Sequence, residues 1–288
     1  DDNGGSGGNS GTNYETPKAK LPESVGTNEL AGKTFKYKDT YLTEVWKFSD
    51  TTIERVSDDS GITQTWNYRY TYDSEKELVY YSLISYRYKE DYTGYGDEKF
   101  FDNINTALSI NSWSSEKDIE EAKSAFKIVY TLKYELSDEG ISIQERYFSG
   151  VLPTNIEFDC SELSYRNGNS LSNFGNGIVS KSVPTANLTF KEGHCYKQAF
   201  LDFDDGKFKG TVFEYNEDYN GSNADWFNLG TVEGIYEITS TDEKDSFDLT
   251  FTEIPETVSQ HVTLNKKYTL ERSWWDKTEE KSFNLVTE

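Results

Sequence analysis

An all-β fold of two tandem antiparallel β-meander barrels, with a short helical insertion in the first, is the architecture this sequence predicts. Three observations lead there. Apolar and polar residues alternate with period two over long stretches, as strands with one dry and one wet face require. The chain is only 34% hydrophobic yet 15% aromatic, and Tyr, Phe and Thr at such density favour strands. The alternation stops over 151–186, where Asn, Gly and Ser dominate, and resumes beyond it, which divides the 288 residues into two units of ordinary size.

The first element is a tether, residues 1–29. Its opening run, Asp1-Asp2-Asn3-Gly4-Gly5-Ser6-Gly7-Gly8-Asn9-Ser10-Gly11-Thr12-Asn13, has nothing to pack. As a random coil the segment spans roughly 30 Å. The chain begins at Asp1 and contains no Met, the expectation for a processed product.

The first barrel occupies 30–150. Ile62 to Tyr72 places Ile62, Gln64, Trp66, Tyr68, Tyr70 and Tyr72 on one face of a strand. Phe126 to Leu136 alternates as cleanly, and Thr40–Phe48 and Leu78–Tyr88 read as further strands. Polar turns separate them at 57–61, 73–76 and 137–140. Ser115-Glu116-Lys117-Asp118 has the spacing of a helix-capping box, and Ile119, Ala122 and Phe126 follow at helical intervals. A helix is therefore expected over Ser115–Ala125, with another around Phe101, Ile104 and Leu108.

Residues 151–186 form a linker, and 187–288 the second barrel. Its expected strands are Tyr196–Phe203, Phe208–Tyr215, Thr231–Ile238, Phe247–Ile254, His261–Ser273 and Ser282–Val286. Asp204-Asp205-Gly206-Lys207 has the composition of a two-residue hairpin turn. Both halves close on a Tyr-x-Leu strand, a polar turn and a short apolar strand: Tyr134–Leu136 with Ile141–Ile143, and Tyr268–Leu270 with Phe283–Leu285.

Leu30-Ala31-Gly32-Lys33-Thr34-Phe35, followed by a meander and a closing hairpin, resembles bacterial lipocalin-like (calycin) domains, over Leu30–Gly150 and about Thr189–Glu288. Phe35 stands where that family usually carries Trp, and Gly234-Ile235-Tyr236 lies well inside the second half. The tether resembles the stretch after the acylated cysteine of bacterial surface lipoproteins. That resemblance implies lipid anchoring in the cell envelope, at the outer surface or in the periplasm. An engineered linker is the alternative reading.

With 29 basic against 51 acidic residues and a net charge of −22, the surface repels phosphate backbones and anionic headgroups. Nucleic acid is excluded as a partner, and membrane contact is expected only through the lipid anchor. No apolar run of about 18 residues marks a transmembrane helix.

Cys160 and Cys195, the two cysteines, are expected to form a disulfide closing the linker, as an even pair does in an exported protein. The histidines, His194 and His261, offer no nucleophile–base pair, since strand neighbours point to opposite faces. No nucleophile elbow, P-loop, dinucleotide fingerprint or zincin motif is present, and no cofactor is implied. Asp202, Asp204 and Asp205 form a weak calcium candidate, without the distal Glu of an EF-hand loop. Glu214, Glu217 and Asp218 could supply paired carboxylates for glycoside hydrolysis.

The stronger hint is aromatic. Trp66, Tyr68, Tyr70 and Tyr72, with Tyr80, Tyr86 and Tyr88 on the next strand, either fill a barrel or line a cavity for an apolar or sugar ligand. Trp274-Trp275, between strands, could contact a partner. The expected role is a non-enzymatic binding module for a small molecule, a glycan or an extracellular macromolecule. A carbohydrate-active hydrolase and a structural or antigenic coat protein are the alternatives.

Overall fold

The computed structural model describes residues 13–91, 98–111, 116–149, 156–159, 185–192, 195–216, 226–241, 244–259, 262–274 and 281–287. The chain runs β1 (Thr34–Lys38), β2 (Leu42–Phe48), β3 (Thr52–Asp59), β4 (Ile62–Asp73), β5 (Leu78–Glu90), β6 (Glu98–Phe101), α1 (Ile104–Asn111), α2 (Glu116–Lys127), β7 (Tyr130–Leu136) and β8 (Gly140–Ser149). It continues through β9 (Ile156–Asp159), β10 (Thr185–Glu192), β11 (Cys195–Asp204), β12 (Lys207–Asn216), β13 (Trp226–Ser240), β14 (Lys244–Glu253), β15 (Lys267–Trp274) and β16 (Lys281–Leu285).

One barrel closes. Strands β1 to β5, then β7 and β8, follow one another antiparallel, and β16 completes the ring. The closing strand pairs Leu285 with Phe35 of β1 and Phe283 with Ile141 of β8. The segment expected to end a second barrel thus seals the first, across the whole length of the chain.

The second sheet stays open, which corrects the expectation of two barrels. Strand β8 serves both sheets: Gly140–Ile143 pairs with β16, and Arg146–Ser149 pairs with β15. From β15 the sheet runs through β14, β13, β12, β11 and β10 to β9. With β16 committed to the barrel, no strand among the described residues joins β9 back to β15. A loop covers part of the sheet's apolar face. Phe203, Phe208, Tyr236, Phe251 and Tyr268 form a run of contacting rings. Val258 and Val262, on the loop around the one-turn 3-10 helix Glu256–Val258, are buried against the same cluster. Gly234 lets the Phe208 ring lie on the backbone of β13, since a Cβ there would sit 2.2 Å from the Phe208 Cζ.

The hairpin at Asp204–Lys207 forms as expected: Asp205 and Gly206 take φ of 44° and 74°, the left-handed pair of a type I′ turn. The helices also form where expected, with one difference. Phe126 belongs to α2, not to the strand after it, and β7 begins at Tyr130. Phe126 satisfies both the helical and the alternating series, and the Ile128 amide donates to the Ser124 carbonyl, so the helical bonds run past it. Among the described residues no helix is long and apolar enough to cross a membrane.

The helices join the barrel to the second sheet. Phe101, Ile104 and Phe126 share one core with the barrel rings and with Phe200 and Phe213 of the second sheet. Lys117 and Glu121 form a buried ion pair on α2. The Lys117 ammonium lies 4.7 Å from the Trp226 ring centroid. Residues 13–29, expected as free tether, instead lie against α1, α2 and β4 where they are described.

Candidate site at the barrel mouth

Strand register stacks the inward side chains in layers. Tyr68 pairs with Ile53 and Leu83, and Tyr70 pairs with Tyr81, which pairs with Tyr130. Rings from opposite walls touch. Trp46 of β2 lies 6.0 Å from Tyr81 of β5, and Tyr68 lies 4.9 Å from Tyr81 and 5.8 Å from Tyr130, centroid to centroid. Tyr81 and Tyr130 stack at 5.0 Å. Here the barrel interior is packed with rings.

Charge enters one layer higher. The row Phe35, Trp46, Arg55, Trp66, Tyr86 runs across β1 to β5 by successive cross-strand pairs. Within it the Arg55 guanidinium lies 4.9 Å from the Trp46 ring and 5.1 Å from the Trp66 ring, so two indoles flank one cation. The row above is polar: Tyr37, Glu44, Ser57, Gln64, Tyr88. Glu44 is only 2% exposed. Its Oε1 accepts from the Trp46 indole N–H at 2.7 Å and lies 2.8 Å from Arg55 Nε, while Lys281 Nζ reaches Oε2 at 3.2 Å. Burial pushes the Glu44 carboxyl up, but Arg55, Lys281 and the Trp46 N–H outweigh it and hold the group below the usual carboxylate range.

At the rim, hydroxyls meet carboxylates. Tyr37 donates to Asp39 Oδ2 at 3.0 Å, and Tyr88 donates to Glu90 Oε2 at 3.1 Å. The Leu42 and Tyr41 amides, then the Tyr37 hydroxyl, hold Asp39 low, and the bond to Asp39 in turn raises the Tyr37 phenol. Tyr41, at the tip of the β1–β2 hairpin, is 74% exposed. This end of the barrel therefore offers phenol rings and hydrogen-bonding groups of both kinds around an ionised, buried carboxylate.

The expected aromatic stripe divides. Trp66, Tyr68 and Tyr70 are buried. The Tyr70 hydroxyl donates to the Ser49 carbonyl and accepts from Asn28. Tyr72 is half-buried against the same core. Tyr80 faces the other way and packs outside the barrel near Ala19, Leu21 and Val129. Tyr86 turns toward Phe101, and Tyr88 reaches the mouth. Trp274 ends β15 opposite Arg146; Trp275 lies outside the described residues, as do His194 and His261.

The calcium candidate does not assemble. Asp202 pairs with Lys127 at 2.5 Å, Asp204 with Lys20 at 3.4 Å, and Asp205 stands in the hairpin turn. No group of three His, Cys, Asp or Glu among the described residues is placed to hold a metal. Glu214 pairs with Lys197 at 3.4 Å, while Glu217 and Asp218 lie outside the described residues. Asp202, Asp204 and Glu233 do border an open cleft of about 540 Å³ on the second sheet, with Lys207, Lys209 and Ile235.

Cys160, and with it the expected bond to Cys195, lies outside the described residues. Its neighbour Asp159 pairs with Asn187, whereas Cys195 pairs with Glu192, five residues along β10.

Tyr37, Glu44, Arg55 and Lys281 were not singled out from the sequence. A signal existed for two of them. Glu44 precedes Trp46 and Phe48 at period two, and Arg55 follows Ile53 likewise, so each is a charge at an inward position. Lys281 carries no such mark, because only closure by β16 brings it to the mouth. Comparison with protein-family models, curated proteins and solved structures gives no significant match.

Proposed function

We propose that the protein is a lipid-anchored binding module of the bacterial cell envelope that takes a saccharide at the barrel mouth, rather than an apolar ligand inside the barrel. The observation that carries this reading is the Glu44–Arg55–Lys281 cluster set among aromatic rings at one end of a packed barrel. A buried ion cluster is no better for stability than well-packed apolar residues of the same volume. Charges held in a fixed geometry at one end of the barrel therefore suit recognition more than folding. Tyrosine faces with hydroxyl and carboxylate partners match the alternating apolar and polar faces of a sugar ring. Envelope location rests on the Gly, Asn and Ser content of the first residues and on the acidic surface.

Trp46 and Trp66 flank Arg55 and supply the readout. Titration with a panel of neutral oligosaccharides should give a saturable change in tryptophan fluorescence. Tyr41→Ala, at an exposed position, should weaken binding about tenfold, or 1.4 kcal/mol, with stability unchanged. Saturable binding of a long-chain fatty acid, with none of the saccharides, would overturn the proposal.

A further inference from the structure

Residues 14–27 cross the molecule as an extended segment. At one end the Tyr14 amide donates to Asn105 Oδ1 at 3.0 Å and the Thr16 hydroxyl accepts from the Ile104 amide at 3.0 Å, which holds the start of α1. In the middle the Ala19 amide donates to the Phe126 carbonyl at the end of α2, and Arg69 of β4 donates to the Ala19 carbonyl. Lys20 reaches Asp204 on the β11–β12 hairpin at 3.4 Å. At the far end the Val25 amide donates to the Tyr72 carbonyl at 2.8 Å, and the Ser74 amide donates back to Val25. One segment thus touches the barrel, both helices and the second sheet.

Its hold is thin. Of residues 13–27 only Ala19, a small side chain, is fully buried, while Tyr14 is half-buried against the main core and Leu21 beside Tyr80 and Val129. Pro17 and Pro22 interrupt the segment, and neither has an amide to pair with a neighbouring strand. Beneath it, Thr71, Tyr80 and Thr131 stand side by side on β4, β5 and β7. The Thr71 and Thr131 hydroxyls are buried and find no hydrogen-bond partner among the described residues. A cover that buries polar groups without pairing them gives up part of its own docking energy. Few buried apolar contacts and backbone bonds near solvent mark a segment that opens separately from the core.

We propose that residues 14–27 are a releasable strap. It opens as a unit while the barrel stays folded. Opening exposes the strip formed by Arg69, Thr71, Tyr80 and Thr131, and unties α1 and the second sheet from the barrel at Asn105 and Asp204. The strap therefore couples whatever acts on the N-terminal segment to the contact between the two sheets.

Amide hydrogen exchange on the full chain tests this. The Phe48 amide, bonded to the Lys33 carbonyl at 2.9 Å within the barrel, is the internal reference. The Ala19 and Val25 amides should exchange at least about 100-fold faster than Phe48, with rates that barely depend on low concentrations of urea, as local opening requires. Thr71→Val with Thr131→Val removes the unpaired hydroxyls without changing shape. That pair should slow Ala19 exchange several-fold relative to Phe48. Arg69→Met removes the bond to the Ala19 carbonyl and should speed it. Exchange of Ala19 and Val25 at the rate of Phe48, with the same urea dependence, would show that the segment is fixed to the core and would overturn the proposal.

Discussion

Trp46→Ala is expected to lower the unfolding free energy by about 3–5 kcal/mol, the range for deleting a large ring from a packed core. The ring of Trp46 touches Phe48, Tyr81 and Phe283 and lies under Arg55, and its N–H serves Glu44. Its loss opens a void in the middle of the barrel and strips Glu44 of a donor. Urea unfolding followed by tyrosine fluorescence and circular dichroism measures the change. In a barrel with an empty lumen the ring would have few partners, and the cost would fall well under 1 kcal/mol. The same variant therefore distinguishes a packed interior from a ligand cavity.

Glu44 gives the second large effect. Its folded carboxyl is held below its ordinary value by Arg55 and Lys281 against the cost of burial. A group shifted this way adds stability above its unfolded pKa, and loses that contribution as pH falls through the folded pKa. Glu44→Gln should therefore be less stable than the parent at neutral pH, and the difference should shrink as pH falls below the usual carboxylate range. About 3 kcal/mol is expected at neutral pH, the low end for breaking a buried pair, since Lys281 remains 43% exposed. Glu121 acts in the opposite direction. Burial raises its carboxyl further than Lys117 lowers it, so its contribution to stability grows as pH falls. The difference between parent and Glu44→Gln, not the parent curve alone, carries the Glu44 signal. A difference constant from pH 7 to pH 3 would rule out an ionised Glu44 in the native barrel.

Local pattern foretold most of the barrel. The strand Ile62–Asp73 and the helix after Ser115 rest on side-chain period and capping chemistry, both written in adjacent residues. The hairpin at Asp205-Gly206 was legible for the same reason, because a type I′ turn demands left-handed residues at two neighbouring positions. Closure was not legible. The β16 strand Lys281–Leu285 carries the same alternation whether it ends a second barrel or returns to β1, and only long-range pairing decides between them. The site followed that limit. Trp66 and Tyr68 were visible as rings on one face, but the Arg55 beside Trp66, and the Glu44 and Lys281 that Arg55 is clustered with, come from three other strands. Tyr80 has the same parity as Tyr86, but the bulge where β5 pairs with Asn67 and Tyr68 shifts the register and puts the two on opposite faces, which period two alone does not show. The contacts of residues 14–27 were not legible, since a segment with two prolines and one small fully buried residue looks, in composition, like coil.

Ligand is expected to be met at the mouth of a packed barrel. Amide and indole NMR of labelled protein, titrated with the best saccharide of the panel, tests it most directly. Shifts are expected at Tyr37, Tyr41, Glu44, Ser57, Gln64, Tyr88 and Lys281, and at the Trp46 and Trp66 indoles, with Tyr68, Tyr81 and Tyr130 unmoved. Shifts centred on Tyr68, Tyr81 and Tyr130, with the rim unchanged, would mean that the barrel opens around its ligand and would contradict this account.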